Sequence, residues 1–251
     1  MVKYQTVFNA KILLFGEYTV IFDSKALIIP YSYFTGRLSR IGSDKYTRYD
    51  KAVESNRNMQ KYLDFYKENK LLQDEVNLNI DQILIDLDDG MYFESNIPQG
   101  YGVGSSGALV AAIYERYAAN PLRHFDKQSI LKLKRIFALM ESYFHGTSSG
   151  MDPLNCYIGK PILVNDPENI EIVKVPHPNN NADAAIFLIN AGYPGSTEPL
   201  VKLFLNKSEN PGFKEMITNE LIPLINICID QITQGNLKGR VDMQFRLLDG
   251  K

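Results

Sequence analysis

Only two of the 251 residues are cysteines, Cys156 and Cys228, and they form no CxxC pair. A disulfide framework or a cysteine-ligated zinc site is therefore not expected, and a reducing compartment fits. No apolar run approaches the roughly 20 residues that span a bilayer. The segment Met1–Gln5 also lacks the charged and apolar layout that opens a signal peptide. The sequence therefore predicts a cytoplasmic protein with no membrane partner.

The chain also has little net charge, since 27 Lys and Arg residues face 29 Asp and Glu residues, for a net charge of −2. Nucleic-acid-binding domains usually carry a basic excess, so we expect no nucleic-acid partner. Apolar residues make up 45% and charged residues 22%, which excludes a disordered chain. The length allows one large domain or two modest ones.

Hydrophobic periodicity predicts an α+β protein in which strands come first and helices then mix with strands. The predicted strands are Thr6–Phe15, Ala26–Ile29 (ended by Pro30), Tyr33–Ile41, Val76–Ile80, Ile83–Leu87, Tyr92–Ile97, Pro161–Val164 and Ala184–Asn190. The predicted helices are a surface helix or insertion within Asp44–Lys70, then Ala108–Ala119, Asp126–Phe144, Met151–Tyr157, Thr197–Leu205 and Phe213–Gln234. Pro176–Asn181 is rich in Pro and Asn, which predicts a linker.

The most unusual stretch is Pro98–Gly107, which has glycines at alternate positions, then two serines, at the start of a predicted helix. Alternate glycines let the backbone approach a ligand closely, and the free N–H groups of a helix start favour an anion. The stretch is neither a P-loop, because no Lys follows the last Gly, nor a dinucleotide fingerprint. A turn with a Ser cap needs fewer such residues. The pattern therefore indicates phosphate binding by Gly100, Gly102, Gly104, Ser105, Ser106 and Gly107.

A second loop of small residues, Gly146–Gly150, separates Glu141 from Asp152. Phosphoryl transfer needs a metal on the phosphates and a group that positions or deprotonates the attacking hydroxyl, so one carboxylate could serve each task. The alternatives are a solvated helix charge for Glu141 and a helix cap for Asp152. Lys11 interrupts an apolar strand just before Gly16, and either extends to solvent or pairs with a carboxylate inside a site.

Four segments in this order resemble the GHMP small-molecule kinases. Lys11–Ile21 is similar to the opening motif of that superfamily, and Ile97–Ala108 resembles its phosphate loop, PxGxGxGSS[AG]A. His145–Asp152 resembles the HGxxSGxD pattern of the mevalonate kinase family. Asn190–Val201 resembles the strand, loop and helix with a Ser-Thr pair that is found in the same family. Together the four segments span most of the chain.

The resemblance implies a two-domain fold, with an N-terminal unit like ribosomal protein S5 domain 2 over residues 1–180 and a ferredoxin-like C-terminal unit over residues 181–251. It also implies ATP-dependent phosphorylation of a small hydroxyl compound with Mg²⁺. The substrate implied is mevalonate, which would become 5-phosphomevalonate for isoprenoid synthesis. No segment after Gly195 resembles the third, Gly-rich motif of the superfamily, so we expect a shortened chain with an incomplete C-terminal unit. The sequence allows a homodimer without specifying one.

Roles for individual residues follow from the same resemblance. Asp152 would orient or deprotonate the substrate hydroxyl, and Lys11 would hold Asp152. Glu141 and Ser105 would hold Mg²⁺ on the ATP phosphates, which Ser106 and the loop N–H groups would cradle. The remaining expected site residues are Ser149 and Thr197 near the phosphates, and Glu17 and His145 on the substrate side.

Three other functions remain open at this point. One is another GHMP kinase, acting on a sugar or a mevalonate derivative; a decarboxylase of the superfamily is disfavoured by the pattern around Asp152. The second is a catalytically inactive nucleotide-binding regulator, which the absent third motif favours and the retained trio of Lys11, Glu141 and Asp152 disfavours. The third is a nucleic-acid module on the S5-like fold, which the net charge disfavours.

Overall fold

The computed structural model describes residues 6–42, 48–175, 188–189, 192, 194–195 and 197–235. The strands in this part of the chain are β1 (Phe8–Phe15), β2 (Ala26–Arg40), β3 (Met91–Ser95), β4 (Ile162–Asp166) and β5 (Asn169–Ile172). The helices are α1 (Tyr49–Glu68), α2 (Lys70–Glu75), α3 (Ile80–Asp88), α4 (Ser105–Tyr117), α5 (Lys127–His145), α6 (Met151–Ile158), α7 (Thr197–Ser208), α8 (Pro211–Met216) and α9 (Ile222–Thr233). A short 3₁₀ helix covers Thr19–Phe22, and Ile217–Leu221 form a π-helical turn between α8 and α9.

The described strands form one antiparallel sheet in the order β1-β2-β4-β5, and β3 pairs with the far end of β2. The sequence predicts two strands where β2 is continuous, so the predicted break at Pro30 is wrong. Proline is compatible with extended backbone where the ladder is irregular. The pairing of β1 with β2 becomes irregular immediately after Pro30, because Ala10 lies opposite Tyr31 while Asn9 lies opposite Thr35.

Two further predicted strands are absent. Val76–Ile80 contains a single isolated bridge, at Leu78, and Ile83–Leu87 lies within α3. Asn79 caps this helix, because its side chain accepts a hydrogen bond of 3.1 Å from the N–H of Gln82. A short apolar run fits both the strand and the helix period, so the cap and the packing decide.

Helix α1 forms as predicted within Asp44–Lys70, with one face exposed and the other in the core. Its side chains Met59, Tyr62, Leu63 and Tyr66 are buried in the main core. They recur at three- and four-residue spacing, which puts them on one face of the helix. Helices α4, α5, α6 and α7 and strands β1, β3 and β4 also form where the sequence predicts them, within a few residues at each end.

The N-termini of α4 and α6 lie side by side because Gly107 has no side chain. A Cβ atom at Gly107 would lie 2.8 Å from the carbonyl carbon of Asp152 and from the nitrogen of Pro153. Strand β1 runs next to this contact, since the N–H of Lys11 donates a hydrogen bond of 3.0 Å to the carbonyl of Val103. The fold therefore brings β1, the stretch Pro98–Gly107 (the Gly-Ser loop) and two helix N-termini to one place.

The C-terminal helices pack against the start of β2. The ammonium of Lys25 lies 2.6 Å from a carboxylate oxygen of Asp230, and Ile229 joins a small apolar cluster with Leu27. The predicted linker and domain boundary near residue 180 lie outside the described residues. Of the predicted buried strand Ala184–Asn190, only residues 188–189 are described, and they are exposed and not in a strand. No described helix is long and apolar enough to cross a membrane.

A fully buried carboxylate, Asp86, connects α3 to α4 and β2. One of its oxygens accepts hydrogen bonds from Nη2 and Nε of Arg116, at 2.5 and 2.7 Å, and from the hydroxyl of Tyr117 at 3.0 Å. The other oxygen accepts from Gln82 at 3.1 Å and from Arg40 at 3.3 Å. Removing its charge would weaken the acceptor for the buried hydroxyl of Tyr117 and for two guanidinium groups.

We therefore expect Asp86→Asn to lower the free energy of unfolding by about 2 kcal/mol, as for other buried groups that lose a charged hydrogen-bond partner. Asp89→Asn is the matched control, because Asp89 is an exposed partner of the same Arg40 and its loss costs about 1 kcal/mol or less. Urea unfolding of the two variants measures the difference. Equal losses would contradict a structural role for Asp86.

Candidate active site

The Gly-Ser loop adopts a backbone that favours glycine at three positions. Gly100, Gly102 and Gly104 have φ angles of +78°, +69° and +82°, and Gly104 is the N-cap of α4. A Cβ at Gly104 would lie 2.7 Å from Cγ of Lys11, so glycine there leaves room for the lysine. The first N–H groups of a helix have no intrahelical partner, and such a loop and helix start form a suitable anion site.

Lys11 and Asp152 form an ion pair at this helix start, with Nζ 2.9 Å from Oδ2. Lys11 is 7% exposed, so it does not extend to solvent from the strand end. Asp152 lies in the first turn of α6, where the helix dipole stabilises a carboxylate, and its side chain is 35% exposed. The pair therefore presents one partly accessible carboxylate held by a buried cation.

Glu141 is 3% exposed, so it is not a solvated helix charge. Its Oε1 accepts a hydrogen bond of 2.9 Å from the hydroxyl of Ser106, and its Oε2 accepts one of 2.5 Å from the hydroxyl of Ser148. Burial raises the pKa of Glu141 above its ordinary value, and the charge of Asp152 raises it further, while the two hydroxyl donors oppose the shift. This buried carboxylate joins the two small-residue loops.

The serine that contacts Glu141 is Ser106, whereas the sequence predicts Ser105 as its metal-binding companion. The hydroxyl of Ser106 also lies 3.3 Å from Nε2 of His145, which places His145 beside the Gly-Ser loop. Carboxylate and hydroxyl oxygens are ligands that suit Mg²⁺. Among the described residues no group of three His, Cys, Asp or Glu side chains could hold a metal alone. A cation held by Glu141 and the hydroxyl of Ser106 would take its remaining ligands from phosphate and water.

The other predicted site residues are less closely joined. Ser149 is exposed at the start of α6, and its hydroxyl accepts a bond of 3.4 Å from the N–H of Met151. Glu17 is exposed in the turn after β1. The side chain of Thr197 lies outside the described residues. The N–H of Gly195 donates a hydrogen bond of 2.8 Å to the carbonyl of Gly100, so Gly195, just before α7, lies next to the Gly-Ser loop.

A known protein family matches part of the chain. Residues 67–160 match the family model described as the GHMP kinases N terminal domain. This segment is similar to the N-terminal domain of the GHMP kinases. The matched residues include the Gly-Ser loop, Glu141 and Asp152, whereas Lys11 lies before them. A comparison with curated proteins found no significant match.

Solved GHMP kinase structures are similar over most of the chain. Mevalonate kinase from L. major, in complex with R-mevalonate, is 20% identical with a TM-score of 0.52, over 94% of this chain and 72% of that one. Mevalonate kinase from methicillin-resistant Staphylococcus aureus MRSA252 is 16% identical with a TM-score of 0.48, over 93% and 71%. Mevalonate kinase from Methanococcus jannaschii is 13% identical with a TM-score of 0.49, over 92% and 72%. The first similarity, with the domain match, shows that the chain has the GHMP kinase fold.

Gly107→Ala tests whether α4 and α6 are in close contact at the candidate site. Its methyl group would meet the backbone at Asp152, which cannot rotate away, so we expect a loss of about 1–3 kcal/mol in the free energy of unfolding, typical of overpacking. Gly212→Ala is the control, since Gly212 lies in α8 and its nearest neighbour is a side-chain oxygen at 3.4 Å.

The control substitution should be neutral or stabilise by up to about 1 kcal/mol, because alanine restricts the unfolded chain more than glycine does. Urea unfolding curves of both variants provide the measurement. A Gly107→Ala protein as stable as the control would show that the two helices are not in close contact there.

Proposed function

We propose that the protein transfers the γ-phosphoryl group of ATP to the hydroxyl group of a small molecule. The ion pair of Lys11 and Asp152, at the adjoining N-termini of α4 and α6, carries the proposal. It combines a partly accessible carboxylate that can meet a hydroxyl with a cation and a helix start that favour phosphate. The domain match and the fold support the same reaction class.

In this proposal Asp152 orients the substrate hydroxyl and accepts its proton as the oxygen attacks the γ-phosphorus. The bond from that phosphorus to the bridging oxygen breaks, and ADP leaves. Lys11 holds Asp152 in place through their ion pair and adds positive charge beside the transferred group. Catalysis of this kind depends mainly on positioning and charge stabilisation.

The phosphate chain would lie along the Gly-Ser loop, with the N–H groups of Gly102–Ser106 directed at it. Glu141 and Ser106 have the oxygen donors to hold Mg²⁺, which would neutralise charge on the β- and γ-phosphates. Ser105, the neighbour of Ser106, is the first residue of the same helix, α4. The cofactors of the proposed reaction are therefore ATP and Mg²⁺.

Mevalonate is the substrate that we propose. The stretch His145–Asp152 carries the HGxxSGxD pattern, and Asp152 of that pattern is the residue paired with Lys11. The solved L. major enzyme, which has a similar fold, is a mevalonate kinase in complex with R-mevalonate. The product would be 5-phosphomevalonate.

A coupled assay of ADP release tests this proposal, with Mg-ATP and a panel of alcohols: mevalonate, phosphomevalonate, homoserine and galactose. We expect turnover that depends on mevalonate. Turnover with another alcohol would retain the kinase and replace the substrate. Nucleotide binding without any turnover would favour an inactive regulator, and no nucleotide binding would contradict the proposal.

Asp152→Asn should reduce kcat at least about 100-fold, because general-base catalysis typically contributes that factor or more. Affinity for ATP should stay nearly unchanged, since Asp152 is placed at the hydroxyl and not on the phosphates. Asp81→Asn is the matched control, because Asp81 is an exposed aspartate in the first turn of another helix, α3. Wild-type kcat in Asp152→Asn would rule out the assigned role.

A further inference from the structure

Ser148 makes two hydrogen bonds that the motif pattern does not require. Its hydroxyl oxygen accepts a bond of 3.0 Å from the N–H of Gly150 and lies 2.5 Å from Oε2 of Glu141. A serine hydroxyl has a single proton, and a backbone N–H can only donate. The Ser148 proton is therefore directed at Glu141, in a short bond of the kind that hydroxyl groups make to carboxylates.

This bond determines how the Glu141 carboxylate is rotated. With Oε2 held by Ser148, Oε1 faces α4 and accepts the bond from Ser106. The backbone at Gly150, which donates to Ser148, packs closely against α5. A Cβ at Gly150 would lie only 2.2 Å from the carbonyl oxygen of Lys134. Ser148 thus connects the carboxylate to a turn that packs firmly on α5.

Gly150 is also the N-cap of α6, the helix that carries Asp152 in its first turn. Ser148 therefore links the carboxylate on the phosphate side of the site to the start of the helix on the hydroxyl side. In the HGxxSGxD pattern, position 148 is one of the variable positions, so the pattern alone does not single it out.

We propose that Ser148 is a positioning residue that holds the Glu141 carboxylate in the orientation needed to bind the nucleotide-associated divalent cation. The inference rests on the proposed function, because the cation is expected only together with the ATP phosphates. Hydrogen-bond partners of metal ligands typically contribute a factor of ten or more to metal affinity. Ser148 should therefore affect the metal without affecting the metal-free nucleotide.

The test uses Mn²⁺ as the probe cation and β,γ-imido-ATP as the nucleotide. Isothermal titration calorimetry measures the Kd of β,γ-imido-ATP for the full chain in saturating Mn²⁺ and again in EDTA. The wild type should bind this nucleotide more tightly with Mn²⁺. Ser148→Ala should lose about tenfold in the Mn²⁺ condition, in line with other lost partners of metal ligands, and should match the wild type in EDTA.

Two sets of variants separate the hydrogen bond from general damage. Ser142→Ala is the matched control, because Ser142 adjoins Glu141 in sequence but donates its hydroxyl to the carbonyl of Leu139 at 2.7 Å. Ser148→Thr and Ser148→Val have the same shape and differ in the hydroxyl. Ser142→Ala and Ser148→Thr should behave like the wild type, and Ser148→Val like Ser148→Ala.

The outcomes distinguish this inference from the proposed function. A wild type that does not bind β,γ-imido-ATP, or binds it equally with and without Mn²⁺, contradicts the proposed metal–nucleotide site itself. A wild type with the Mn²⁺ effect and a Ser148→Ala protein that retains it in full overturns the inference alone. Loss of nucleotide binding by Ser148→Ala in EDTA, or equal losses in Ser148→Thr and Ser148→Val, also overturns it, because the hydroxyl would then not act through the cation.

Discussion

The close contact of α4 and α6 at Gly107 is the constraint on which the candidate site depends. It brings two helix N-termini together, one with the Gly-Ser loop and one with Asp152. Lys11 reaches both from β1, because Gly104 leaves room for its side chain. A buried cation beside two positive helix starts is unfavourable unless a carboxylate is also present, and Asp152 supplies that negative charge.

Glu141 shows the cost of assembling such a site. Burial and the nearby charge of Asp152 both raise the pKa of its carboxyl, so the ionised form is disfavoured in the folded chain. The hydroxyls of Ser106 and Ser148 offset part of this cost. A bound divalent cation would offset more, which is a physical reason for a strained carboxylate to be retained at a functional site.

Patterns with a strong local cause were predictable from the sequence. The sequence singles out Pro98–Gly107 by its dense glycines and serines, and Lys11 by its place inside an apolar strand. The structure brings the two together beside Asp152. The strand breaks were not predictable, since Pro30 is tolerated where β2 is irregular and the run at Ile83 fits either period. The contact of Ser148 with Glu141 depends on how two loops fold back on each other, which sequence spacing does not report.

The central claim is that these groups surround one phosphate-transfer site. A crystal structure of the protein with Mg²⁺ and β,γ-imido-ATP tests it most directly. The account predicts the phosphates along the Gly-Ser loop, the cation on Glu141 and Ser106, and the terminal phosphate next to Lys11. A nucleotide bound away from this loop, or a cation that does not contact Glu141, would contradict the account.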